Sequence, residues 1–246
     1  MKYIVSLTTK IKSANLPSTS EAILAIEPDD YTNAEIRQIR ERGYKTLAYL
    51  SIGTISTERP FYKEYRQYKK KRLPDWEKEY YMDMTQKAWT NFLIERAKNL
   101  KERGFDGFWL DNLDVYEEYR SAAVFTACYN LLRDIKNIGG YVMVNGGSEF
   151  FDDALDRARN LKQLVNGVTQ EEVFSLIKSY SGKGAFGKQT RQQQQFYQSL
   201  LKRILRSGVE VFLLEYTRDN ALTTTILAWC KKWSITGCCI SDDVDL

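Results

Sequence analysis

Carboxylates are the side chains through which this chain could do acid–base chemistry, because it contains no histidine. That absence excludes Ser-His-Asp and Cys-His nucleophile schemes, HExxH zinc sites and any imidazole relay. Proton transfer then falls to Asp and Glu, with Lys, Tyr or Cys in support. The segment Gly104–Tyr116, GFDGFWLDNLDVY, reads as a turn, a short buried strand and two aspartates, Asp111 and Asp114, where the strand runs out into a loop. A carboxylate at the exit of a buried strand is costly unless it is solvated or put to use.

The elements that would position such acids repeat along the chain. Apolar runs at Tyr3–Leu7, Ala22–Ile26, Thr46–Ile52, the Gly104 segment, Tyr141–Val144, Val168–Phe174, Val209–Leu214 and Ile235–Ile240 predict eight strands. Helical patterns separate most of them. One opens at Thr32 with capping-box spacing to Glu35, one runs from Thr85 to Arg103 and one covers roughly 117–137. Others are expected after caps at Ser148 and Thr190 and across Ala221–Trp233. Eight alternations in 246 residues predict an α/β fold, a single-domain (β/α)8 TIM barrel over 1–246. A Rossmann sheet would need GxGxxG after its first strand, and none is present. Residues 54–81 read as a long, irregular, partly helical βα loop.

In such a barrel the carboxyl ends of the strands form one rim, and catalytic residues gather there. That rim carries Glu27, Asp29, Asp30, Tyr49, Ser51, Asp111, Asn112, Asp114, Asn145, Glu171, Glu172, Glu215, Asp242 and Asp243. Single aspartates after strands are commonly turn or helix caps, but acids converging from several strands exceed what capping needs. Glu171 and Glu172 point to opposite faces of one strand, and the parity of Val168 and Phe174 assigns Glu172 to the outer face and Glu171 to the cup. Convergent carboxylates without histidine suit glycoside hydrolysis. A barrel that binds saccharide without cutting it, or a metal-dependent hydrolase using the same acids, would need the same cup. Gly182–Lys188 begins like a P-loop but is followed by Gln189 where Ser or Thr is required, so it reads as a loop over the mouth.

The net charge of +4 gives no argument for nucleic acid. The Lys69–Arg72 run beside Tyr62, Tyr65 and Tyr68 reads first as a solvated face and second as a sugar subsite. The four cysteines lack CxxC spacing and read as ordinary buried thiols. The amino-terminal apolar run is too short for a signal peptide or membrane span. The sequence as it stands therefore reads as cytoplasmic, or as secreted if a leader has been removed. No cofactor, resident metal, membrane or nucleic-acid partner is expected, and a monomer is.

YLSIGT at Tyr49–Thr54, GFDGFWLDNLDVY, MVNGG at Met143–Gly147 and NGVTQEEVF at Asn166–Phe174 resemble glycoside hydrolase family 114. That is the endo-α-1,4-polygalactosaminidase group and its bacterial relatives. The resemblance runs from Ala22 onward and implies a (β/α)8 barrel. It places the family's fourth-strand acid on Asp111 and its sixth-strand glutamate on Glu171. The tryptophan-rich first strand usual in the family is missing. The expected activity is cleavage of a galactosamine-type polysaccharide. Asp111 and Glu171 would be the catalytic pair, in either order of roles. Asp30, Tyr49, Ser51, Asp114, Asn145, Glu215 and Asp242 would line sugar subsites.

Overall fold

The computed structural model describes residues 1–181 and 184–244. The chain begins with β1 (Lys2–Ser6), β2 (Ala22–Ile26), α1 (Asn33–Glu41) and β3 (Tyr44–Ser51). An excursion follows, made of β4 (Thr54–Ser56), α2 (Tyr62–Tyr65), β5 (Lys69–Arg72) and β6 (Glu79–Met82). Next come α3 (Lys87–Glu102), β7 (Gly107–Asp111), α4 (Val115–Glu118), α5 (Ala122–Ile138) and β8 (Tyr141–Asn145). The second half holds α6 (Ser148–Asp156), β9 (Gly167–Glu171), β10 (Ser175–Ser179), β11 (Ala185–Lys188) and α7 (Arg191–Arg206). It ends with β12 (Glu210–Tyr216), α8 (Asn220–Trp233) and β13 (Gly237–Ser241).

Eight of these strands form one parallel sheet in the order β1-β2-β3-β7-β8-β9-β12-β13. The last strand lies beside the first and brings the sheet round into a barrel. Sequence order and ring order coincide, as right-handed βα crossovers require. The fold is thus a (β/α)8 barrel.

Alternation along each strand separates two apolar layers. Phe108 and Leu110 of β7, Val142 and Val144 of β8, and Val211 and Leu213 of β12 face the helices. Trp109, Met143, Phe212 and Leu214 fill the barrel with Tyr3, Ile23 and Leu47. Polar atoms inside are paired, as burial demands. The Trp109 indole donates to the Tyr3 hydroxyl at 2.7 Å, and Tyr3 lies 3.0 Å from the Thr169 hydroxyl.

The stretch expected to be irregular is built instead on an antiparallel sheet in the order β4-β6-β5. Phe61 and Tyr65 pack in tilted contact on Phe92 of α3 at 4.6 and 4.5 Å between centroids, and the Trp89 indole donates to the Ile52 carbonyl at 3.0 Å. The basic run is its edge strand β5, where lysines blunt edge-to-edge pairing. Lys70 pairs with Asp83, Lys71 with Glu118, and Lys69 sits 3.8 Å over the Tyr80 ring.

Three boundaries differ from the sequence pattern. The helix expected over 117–137 is two, broken before Ser121, whose hydroxyl caps α5. The strand expected to reach Phe174 stops at Glu171. The Gly-rich loop after it is the hairpin β10–β11, with Gly182 and Lys183 of its turn outside the described residues. Cys128 and Cys230 are buried thiols, while Cys238 and Cys239 are half-buried. Among the described residues no helix is long and apolar enough to cross a membrane.

Candidate active site

A cup of about 470 Å³ opens at the carboxyl ends of the strands. Its floor is the last inward-facing residue of three neighbouring strands: Asp111 of β7, Asn145 of β8 and Glu171 of β9. Each is two residues beyond a barrel-filling side chain (Trp109, Met143) or the buried Thr169. The period of the strand therefore aims all three at the axis.

Asn145 ties the acids together. Its amide nitrogen donates to Asp111 Oδ1 at 3.0 Å and to Glu171 Oε1 at 2.5 Å. Those two oxygens can accordingly be no more than about 5.5 Å apart, which is short of the roughly 6.5–9.5 Å of inverting glycosidases and compatible with the closer carboxyl pair of retaining ones. Both contacts need a donor, which fixes the amide orientation and leaves the buried Asn145 Oδ1 without a partner.

The two carboxylates differ in their surroundings. Asp111 Oδ2 also accepts from the Tyr49 hydroxyl at 3.2 Å and the Asn112 amide at 3.3 Å. Glu171 Oε2 accepts from the Tyr216 hydroxyl at 2.8 Å. Burial raises Asp111 to about 6, opposed by the donors from Asn145 and Asn112. Burial and then repulsion from Asp111 raise Glu171 to about 7. The repulsion falls on whichever acid ionises second, and the better-donated Asp111 ionises first.

Backbone strain marks both strand exits. Asn112 follows Asp111 with φ 65°, and Glu172 follows Glu171 with φ 56°. Asn tolerates this left-handed region; Glu adopts it at a cost. The turn after Asn145 has a different need. A Cβ on Gly146, where φ is +69°, would lie 2.6 Å from Asp114 Oδ2. Only glycine lets the backbone approach so closely, and the next amide, Gly147 N, donates to Asp114 Oδ1 at 2.9 Å. Gly147, not Ser148, is the N-cap of α6.

Of the expected subsite residues, Tyr49, Asp114 and Asn145 line the cup with Asp111 and Glu171. Ser51 stands behind it, bonded to Thr54 and receiving the Asn112 amide at 3.0 Å. Asp30 and Asp242 are exposed and lie outside the cup. Glu215 does not reach the cup either. It shares the outward parity of Val211 and Leu213, is fully buried, and accepts from the Phe174 and Ser175 amides and the Ser175 hydroxyl. It is an anchor for the start of the β10–β11 hairpin. Glu172 departs from its expected outer face, because the strand has ended: it lines the cup and takes the Ile177 amide.

Sequence patterns missed Trp76, Tyr180, Tyr197 and Tyr216, which also line the cup. Tyr216 had a signal, being two residues beyond Leu214 in an alternating strand. Glu27 lines the cup as well but is neutralised by a two-pronged contact from Arg59 at 2.7 and 3.0 Å. Among the described residues Glu79, Asp111, Asp114, Glu171 and Glu172 have no cation paired to them, so this set of acids attracts positive charge. Among the described residues no group of three acids or cysteines converges to hold a metal ion.

The model of glycoside-hydrolase family GH114 matches residues 3–240. The chain belongs to that family. This GH114 chain is 23% identical over 214 residues to the uncharacterized protein MJ1477 of Methanocaldococcus jannaschii, a match covering 80% of this chain and 59% of that protein. It thus spans about three-fifths of the curated relative it matches. The glycoside hydrolase domain of PelA from Pseudomonas aeruginosa superposes with a TM-score of 0.81 at 16% identity, covering 100% of this chain and 96% of the other. Aspergillus fumigatus Ega3 in complex with galactosamine does so at 0.73 and 14%, covering 97% and 90%. At such identities the two structures show a shared fold.

Proposed function

We propose that the protein is a retaining glycosidase that cleaves a galactosamine-type polysaccharide, with Asp111 as nucleophile and Glu171 as general acid and base. The observation that supports this is the Asn145 bridge, which keeps the two carboxylates closer together than an inverting mechanism needs. Protonated Glu171 gives its proton to the leaving glycosidic oxygen while ionised Asp111 attacks the anomeric carbon. Glu171, now ionised and held by Tyr216, then takes a proton from the water that breaks the glycosyl ester. The pKa order, about 6 below about 7, supports this division of roles near neutral pH.

The unpaired acids of the cup support a cationic substrate, since amino sugars carry an ammonium near neutral pH. The galactosamine complex of Ega3 is consistent with that choice. The test is incubation with α-1,4-linked galactosamine oligosaccharides, their N-acetylated forms and neutral galacto-oligosaccharides. The expected result is cleavage of the free-amine oligomers, with the first-formed product keeping the anomeric configuration of the substrate. Inversion would exclude Asp111 as nucleophile, and preference for neutral oligomers would exclude the amino-sugar assignment.

A further inference from the structure

Large apolar side chains left in water are informative when they meet each other. Among the described residues, the exposed large hydrophobics are Met1, Trp76, Tyr180 and Leu227. Two of the four touch: Trp76, 52% exposed, and Tyr180, 42% exposed, have ring centroids 5.6 Å apart at an interplanar angle of 58°. They belong to different excursions. Trp76 sits in the turn between β5 and β6, which follows barrel strand β3. Tyr180 sits in the turn between β10 and β11, which follows barrel strand β9. Around the ring, β7 and β8 stand between those strands on one side and β12, β13, β1 and β2 on the other. The contact therefore crosses the mouth, joining the tips of two hairpins, and both rings line the cup.

The ring pair shares the cup with Asp111 and Glu171. The Tyr180 phenol is pushed up to about 12 by burial and then by the charges of Glu172, Glu171 and Asp75. Its hydroxyl is thus within electrostatic reach of the general acid. The ends of β7 and β8, the strands between β3 and β9, carry Asp111 and Asn145. A hairpin tip needs no tryptophan for its own stability, and turn positions favour small polar residues. An aromatic face, however, covers the C–H face of a pyranose ring, and it also attracts an ammonium group.

We propose that Trp76 and Tyr180 form an aromatic clamp that stacks on a pyranose ring of the saccharide as the chain crosses the cup, and so determine how tightly long oligomers are held. This rests on the function proposed above and specifies how the same site grips its substrate. With centroids 5.6 Å apart, the two rings leave no room for a sugar between them. The sugar stacks on the faces turned to the cup, beneath the bridge.

Trp76→Ala, Tyr180→Ala and the conservative Trp76→Phe test this on the whole protein. Kinetics on galactosamine octamers should show KM about tenfold higher in either alanine variant, corresponding to about 1.4 kcal/mol. The effect should fall on KM far more than on kcat, and Trp76→Phe should restore most of it. In a Glu171→Gln background, titration with the octamer should change tryptophan fluorescence, and Trp76→Phe should remove that change. A wild type that cuts the octamer, with alanine variants whose KM is unaltered, would overturn the clamp and leave the function standing. Fluorescence response to neutral galacto-oligosaccharides alone would keep the clamp and overturn the amino-sugar assignment. No response to either probe, with no cleavage, would overturn both.

Discussion

Replacing Glu171 with Gln should abolish cleavage and make the protein more stable, by an amount that depends on pH. Folding raises this carboxyl from its ordinary 4.5 to about 7. Between those values the folded chain holds a proton that the unfolded chain has released, so stability falls as pH rises through the window and the loss is complete above about 7. About 2.5 pKa units correspond to roughly 3 kcal/mol. Glu171 keeps partial access to water through the open cup, and screening there reduces the expected effect to about 1–2 kcal/mol. The Gln side chain removes the ionisation, keeps an acceptor for Asn145, and relieves Asp111 of a like charge. Urea unfolding of both proteins should therefore coincide within about 0.5 kcal/mol at pH 5, and the variant should lead by about 1–2 kcal/mol at pH 8.5. A gap of equal size at both pH values, or a variant less stable at pH 8.5, would falsify the idea that the general acid is held against its own ionisation.

The same pair sets the pH dependence of turnover. Plots of kcat/KM should be bell-shaped, with an acid limb near 6 as Asp111 ionises and an alkaline limb near 7 as Glu171 loses its proton. Tyr216→Phe removes a donor that favours ionised Glu171, so the alkaline limb should move upward while the acid limb stays; a downward move would contradict the hydrogen bond's role. Gly146→Ala would place a methyl 2.6 Å from Asp114 Oδ2 in a left-handed turn, and at least a hundredfold loss of kcat/KM is expected, or about 3 kcal/mol. Substitution of Glu215 by Ala should act on stability, because three buried donors lose their acceptor; calorimetry should show a loss of about 3 kcal/mol, and an unchanged melting point would refute its anchoring role.

The barrel was legible because its signal is redundant: apolar strand runs alternate with capped helices, and any one boundary error leaves the topology intact. Asp111 and Glu171 were legible as rim residues because each ends a predicted strand and matches the motifs of the family, and the structure brings both to the floor of the cup. Glu215 shows where that reasoning stops. All of Val211–Leu214 is apolar, since a barrel strand is buried on both faces, so sequence alone could not say which parity faces the axis. Glu172 was assigned by parity beyond the point where the strand ends, and a left-handed residue turned it back to the cup. The 54–81 excursion read as irregular because strands of three or four residues carry little periodicity.

The letters determined what is local: eight strands, their helices, a rim rich in acids, and a chemistry that must do without imidazole. The tertiary structure decided what depends on closure. It chose which acids share a floor, set the Asn145 bridge between residues 111 and 171, and brought two hairpin tips together across the mouth. Those are contacts between side chains far apart in the chain, and their distances follow from the stagger of the strands around the ring, which no single segment encodes.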